Sequence, residues 1–209
     1  GNSFYFCTGI TEVVIPSTVS RIDTMTFNLC YSLSSLVLPA SITSIEERAF
    51  NQCGNLKTII CDATTPPSIG PKAFLGVDNV TSVTVPDSVT KINAGAFRWC
   101  TSLESISLPF VGETAGGANH NAFGWIFSTS ANDYVPKSLK HVTVTGNCPI
   151  AEEAFHDCHS LETFTATGKI SSVGIFAFIN CESLKTVDFR GGVNEIKQSA
   201  FLKCRSLEE

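Results

Sequence analysis

Through much of the chain, apolar residues come in pairs two positions apart within polar surroundings, as in Leu36 and Leu38, Val83 and Val85, Ile106 and Leu108, and Val187 and Phe189. A period of two is what a strand with one buried face requires. A further apolar residue three positions earlier (Leu33, Val80, Leu103, Leu184) completes a triplet, and Leu56, Ile59 and Cys61 make another. Proline directly follows several of these strands, at Pro16, Pro39, Pro86 and Pro109. Having no amide donor, it ends ladder pairing there. The pattern predicts a succession of short strands.

The strands recur because the whole chain repeats. Phenylalanines at 4, 27, 50, 74, 97, 123, 155, 178 and 201 are separated by 23, 23, 24, 23, 26, 32, 23 and 23 residues. Seven of them follow alanine (Ala49, Ala73, Ala96, Ala122, Ala154, Ala177, Ala200), and Ser3 and Thr26 stand in for it in the other two. An apolar residue lies five positions before most of them, such as Ile22, Ile45, Ile69 and Ile92. Cysteine lies three positions after at Cys7, Cys30, Cys53, Cys100, Cys158, Cys181 and Cys204, with Val77 and Ile126 in the same slot of the remaining units.

A unit of this size cannot bury its own triplet and phenylalanine, so successive units must stack into a continuous core. Nine rungs at the ~4.8 Å spacing of neighbouring strands predict a parallel sheet roughly 40 Å long. The segment from Ile45 to Phe50, containing Glu46, Glu47 and Arg48, has room for only about one turn of helix. It is expected as a short helical or 3₁₀ piece opposite the sheet, preceded by an extended pair such as Val89 and Ile92.

The string Val83-Thr84-Val85-Pro86-Asp87-Ser88-Val89-Thr90-Lys91-Ile92, followed by Ala96-Phe97-Arg98-Trp99-Cys100-Thr101-Ser102-Leu103, closely resembles the BspA-like leucine-rich repeat, and the likeness runs over essentially the whole chain. The expected fold is a single leucine-rich repeat solenoid over residues 1–209, a parallel β-sheet of about nine 23-residue rungs with short helical or 3₁₀ pieces opposite. Units are partial at both ends, as in a piece of a longer array, so exposed ends are expected to associate end to end. The resemblance implies an extracellular or cell-surface protein of a bacterium or mucosal protist, secreted or displayed for adhesion to host or microbial proteins, without enzymatic activity. Two rival readings are a structural spacer stalk displaying other domains and a glycan-binding accessory module.

Composition narrows the choice. Charged residues are 16% of the 209 and apolar ones 43%, which excludes a disordered chain. No apolar run approaches the ~20 residues of a membrane-spanning helix. With 14 Lys and Arg against 19 Asp and Glu, the net charge is −5, and no basic block offers a footprint for nucleic acid. No phosphate-cradling glycine loop or dinucleotide fingerprint is present, so no cofactor is implied. His120 and His141 lack sequence partners that would make a catalytic triad, and no catalytic residue is assigned.

Nine cysteines raise the question of disulfides or a metal site. Seven share one repeat slot, and equivalent side chains in a parallel stack point the same way rather than at one another. They are expected to be buried free thiols acting as small hydrophobes. Cys61 ends a strand triplet, and Cys148, beside Asn147 and Pro149, has no place in the repeat. The run His156-Asp157-Cys158-His159 offers nitrogen and sulfur of the kind zinc takes. Cys158 falls in the buried slot, however, while its neighbours fall at variable solvent positions, so no metal site is assigned.

Two surfaces remain. The outward row of the sheet is rich in hydroxyls, among them Ser82, Thr84, Ser105, Ser107, Thr143, Thr163, Thr165 and Thr186, and threonine suits a half-exposed pleat whether or not it binds anything. The second is the irregular insert region 110–138, where the sixth unit carries its extra residues. Trp99 and Trp125 each lie two positions after a repeat phenylalanine, in adjacent units, and are expected side by side. Tyr134, His120 and Phe110 complete the candidate binding residues. An aromatic patch for a protein or glycan and a local satellite core are both open readings of this group.

Overall fold

The computed structural model of the chain describes residues 1–61, 68–117, 121–128 and 132–208. Eight short parallel strands form the main sheet: Glu12–Val14, Ser35–Leu38, Thr58–Cys61, Ser82–Thr84, Ser105–Leu108, His141–Val144, Thr163–Ala166 and Thr186–Phe189. The first three are hydrogen-bonded in chain order, as are the last five, and Thr58–Cys61 lies beside Ser82–Thr84. The fold is thus the expected leucine-rich repeat solenoid, with about seven turns rather than nine rungs. Eight repeat phenylalanines are each followed by a strand, and no strand follows Phe201 among the described residues.

Register follows from the alternation. Leu36 pairs with Ile59, and Ile106 with Val83 on one side and Val142 on the other, so buried residues form columns across the sheet. A second, narrower sheet runs along another side of the stack. Its strands are Arg21–Ile22, Ser44–Ile45, Ser68–Ile69 and Lys91–Ile92, and farther along Cys148–Ile150 pairs with Ile170–Val173. The extended pair expected at Val89 and Ile92 is therefore Lys91–Ile92, while Val89 packs in the turn after Pro86, to whose carbonyl its amide donates at 3.0 Å. Cys148, which had no repeat role in the sequence, begins a strand of this second sheet and is buried.

The side carrying the Ala-Phe pairs is not helical. In eight of the nine units it is an arch of overlapping turns. In the third unit Ala49 donates to Glu46 O, Asn51 to Arg48 O and Cys53 to Phe50 O, while the alternate amides of Arg48, Phe50 and Gln52 donate to Pro71, Ala73 and Leu75 of the next coil. Every amide of the arch is used, half within the coil and half between coils. This requires positive φ two residues before and two after the phenylalanine, and Arg48 (φ 53°) and Gln52 (φ 61°) adopt it. Fourteen non-glycine residues among those described take such values, all at these two positions. An L-residue pays about 1–2 kcal/mol for this conformation, and the ladder of inter-coil bonds is what over-determines it.

The core is a continuous column of aromatic rings. Phe4, Phe27, Phe50, Phe74 and Phe97 stack successively with centroids 5.1, 5.2, 5.4 and 5.5 Å apart and planes within 8° of parallel. Phe155, Phe178 and Phe201 continue it at 4.8 and 5.1 Å. Beside the rings runs a ladder of thiols. Cys53 Sγ donates to Phe27 O at 3.1 Å, Cys100 to Phe74 O at 3.4 Å and Cys181 to Phe155 O at 3.1 Å. Each thiol fills a small apolar space and offers a weak hydrogen bond to the previous coil. The eight cysteines Cys7, Cys30, Cys53, Cys100, Cys148, Cys158, Cys181 and Cys204 are free. Burial pushes the Cys53 and Cys100 thiols up to about 12.

Candidate functional site

The sixth unit breaks the column and in doing so positions the site. By the repeat, Phe97 should donate to Ala122 O. It donates instead to Ile126 O at 2.8 Å, four residues later, while Phe123 donates to Ala154 O at 2.7 Å and stacks on Phe155 at 4.8 Å. The unit therefore presents Ile126-Phe127 to the coil before it and Ala122-Phe123 to the coil after it. A 3₁₀ turn at Phe123–Ile126 joins the two registers, and Phe123 meets Phe127 edge-on at 5.4 Å. Ile126, read from sequence as a substitute for the slot cysteine, thus takes the alanine position toward Phe97.

This slip separates the fates of the two tryptophans. Counted from Phe127, Trp125 is no longer the counterpart of Trp99, and the expected equivalence of the two indoles is lost. Trp125 is 8% exposed, and its indole Nε1 donates to Ile92 O at 3.0 Å. Trp99 is 52% exposed. Phe110 is also buried in the core, so neither it nor Trp125 presents a surface to a ligand. His120 lies outside the described residues.

Beyond the 3₁₀ turn, the insert is fastened by side chains instead of a backbone ladder. Asn132 opens a second short 3₁₀ turn, Asn132–Tyr134. Its Oδ1 accepts from Gly124 N at 2.6 Å, and its Nδ2 donates to His156 O at 2.7 Å and Ala154 O at 3.3 Å. One amide side chain thereby ties the sixth coil to the seventh where backbone amides do so elsewhere. Ser138 closes the insert by hydrogen bonding to Thr101 O at 2.9 Å and Leu103 O at 2.7 Å.

So held, Tyr134 is half exposed and faces the arch of the fifth coil. The guanidinium carbon of Arg98 lies 5.0 Å from the Tyr134 ring centre and 5.1 Å from that of Trp99. Each such contact contributes about 0.5–1 kcal/mol at an exposed site. Arg98 Nε is buried and has no hydrogen-bond partner. The structure thus joins two of the predicted aromatic residues, Trp99 and Tyr134, through an arginine that the sequence reading passed over. Its position beside Trp99 in an arch facing the insert was the available signal.

Beside this group, the insert and the seventh coil enclose an open cavity of about 480 Å³ lined by Asn132, Asp133, Val135, Lys137, Asp157, Cys158, His159 and Ser160. Burial raises the Cys158 thiol well above its ordinary value. His156 Nε2 lies 2.8 Å from Asp157, and His159 Nδ1 lies 2.9 Å from Asn180 O. Among the described residues no three His, Cys, Asp or Glu side chains are grouped to hold a metal ion.

The outward face of the main sheet keeps the predicted rows in register, with Ser82, Ser105, His141, Thr163 and Thr186 in one and Thr84, Ser107, Thr143, Thr165 and Asp188 in the next. His141 Nδ1 lies 2.9 Å from Thr163 Oγ1, and Thr145 bonds to Asp87. At the entry to these strands Glu162 receives both Lys140 (3.2 Å) and Lys185 (2.6 Å), and these two lysines hold its carboxyl below the usual range. Within these rows His141 and Thr163 are joined across coils, and the other bonds lie at the ends of the strands.

The repeat pattern is matched by a known family. The family model described as the BspA type leucine rich repeat region matches six copies, over residues 1–123 and 129–209. No curated protein is significantly similar to the chain. Among solved structures, a leucine-rich repeat protein of T. pallidum is 21% identical over 91% of this chain and 72% of its own, with a TM-score of 0.46. One from Bacteroides ovatus is 24% identical over 99% of this chain and 67% of its own, with a TM-score of 0.40. A leucine rich cell surface protein from Faecalibacterium prausnitzii is 22% identical over 99% of this chain and 61% of its own, with a TM-score of 0.41. No helix among the described residues is long and apolar enough to cross a membrane. With six repeat copies matched over nearly its entire length and the stacked parallel coils that such repeats build, the chain belongs to the BspA-type leucine-rich repeat family.

Proposed function

We propose that the chain is a non-enzymatic protein-binding module, secreted from or displayed on a microbial cell and used in adhesion to host or microbial proteins. The observation that carries this reading is the pair of half-exposed rings, Trp99 and Tyr134, joined by the partly buried Arg98 between them. Trp, Tyr and Arg are the side chains in which interface energy concentrates. The rigid coils and the Asn132 fastening hold the group in place before a partner arrives, which lowers the ordering cost of association. Membership in a repeat family supports protein interaction as the general role, and surface display follows the same membership.

The test is saturable binding of the purified chain to immobilised extracellular matrix proteins such as collagen and laminin, read by surface plasmon resonance. Micromolar or tighter binding that falls when Trp99 and Tyr134 are both replaced by alanine is the expected result. The absence of saturable binding across such a panel would reduce the chain to a spacer stalk.

A further inference from the structure

We propose that Arg98 is the recognition point for carboxylate groups, and that the segment of a partner protein seated against Trp99 and Tyr134 is acidic. This rests on the binding-module reading above and names the chemistry of its ligand. The argument begins with the donors of the guanidinium. Arginine carries N–H donors in a planar fork and no acceptor. Arg98 has no carboxylate partner among the described residues, and its Nε is buried without any hydrogen bond. Other cations on nearby coils are differently placed: Arg48 is paired with Glu47 at 2.9 Å and Lys91 with Glu113 at 3.1 Å.

The surroundings favour an anion. Gly95 carries no side chain, and a Cβ placed there would lie 3.6 Å from Arg98 Cβ and 3.7 Å from Lys72 Cγ. The stems of Lys72 and Arg98 therefore both lie within van der Waals reach of the Gly95 position. Lys72 likewise has no carboxylate partner among the described residues. Asp133, next to Tyr134, lines the adjoining cavity and makes no ion pair with Arg98. Neither cation is neutralised by a carboxylate among the described residues.

The rings decide between an acidic peptide and an acidic sugar. A sugar ring stacks on an open aromatic face, whereas here Arg98 already lies over a face of both Trp99 and Tyr134. With Nε buried, the guanidinium has its two terminal Nη groups left to offer a carboxylate, which such a pair can grip through two parallel hydrogen bonds. Flanking apolar side chains of a peptide can then contact the free parts of the two rings. An acidic peptide uses every exposed element of the group.

The experiment titrates the full chain with a capped hexaglutamate peptide by calorimetry, with capped hexaglutamine and an oligogalacturonate as comparators. The expected result is saturable, salt-sensitive hexaglutamate binding and none for hexaglutamine. R98Q should weaken it about tenfold or more, as removal of a charged hydrogen-bonding partner does. R98K, which keeps the charge but loses the fork, should fall between the two. Equal binding by R98Q and the unmodified chain would overturn the proposal, as would binding of oligogalacturonate alone. If R98Q loses its cooperative melt, the unmodified chain still decides: hexaglutamate must alter the emission of the exposed Trp99, and no change overturns the site. Matrix-protein binding that is indifferent to R98Q would remove Arg98 while leaving the module reading intact. Hexaglutamate binding with no protein capture would do the reverse.

Discussion

The regular coils and the sixth coil solve the same problem differently. In the regular arch, alternate backbone amides close turns within the coil and reach the next one, and no side chain is needed to complete the ladder. The sixth coil meets its neighbours in two registers four residues apart, through Ile126 on one side and Phe123 on the other, and uses the Asn132 side chain to complete its bonds. A repeat stack therefore constrains the two faces of each coil and not the path between them. Extra residues are accepted where both faces still offer a carbonyl in the alanine position and a phenyl ring behind it. The freed path is what carries Tyr134 to Arg98.

The largest expected effects test whether the sixth coil is a full member of the core. Phe127 and Phe155 are both fully buried, and replacing either with alanine should cost about 3–5 kcal/mol in urea denaturation. A much smaller loss at Phe127 would mean that the coil is draped over the stack and not built into it. Next comes alkaline pH. The buried Cys53 and Cys100 thiols rise from near 9 to about 12 in the folded chain, so folding holds protons that the unfolded chain releases. Their contribution is complete below pH 9 and declines as pH rises toward 12, by on the order of 1 kcal/mol per thiol at pH 10. Urea midpoints at pH 7 and 10 should differ accordingly, and the difference should shrink when both cysteines are alanine.

The two tryptophans sharpen the same contrast at smaller scale. W125F removes the donor to Ile92 O and should cost about 1–3 kcal/mol, because a buried acceptor loses its partner. W99A removes only the exposed contact with Arg98 and should cost about 0.5–1 kcal/mol. Thermal melts that rank these two in the opposite order would reverse the assignment of core and surface. The smallest effect is expected from E162Q, which removes the carboxylate shared by the exposed Lys140 and Lys185. Surface pairs of this kind contribute little and are screened by salt, so the difference in melting temperature should vanish at high ionic strength.

The sequence by itself determined the repeat, the parallel strands and their buried columns, and the burial of the slot cysteines other than Cys7 and Cys204, which are only partly buried. Each follows from local alternation or from one residue type recurring at a fixed interval, and stacking only multiplies it. The arches were less legible. Positive φ is signalled by Gly76, Gly95, Asn2 and Asn180 at their two positions, but Met25, Arg48, Lys72 and Phe176 hold it as well, and only bonds to the adjacent coils force them there. Tertiary structure alone decided the slip in the sixth unit. Ala122-Phe123 and Ile126-Phe127 are both plausible repeat pairs in sequence, and each is chosen by a different neighbour. That choice buried Trp125, left Trp99 outside and placed Tyr134 over Arg98, because which side chain reaches the surface depends on the coil it packs against and not on its distance from a phenylalanine.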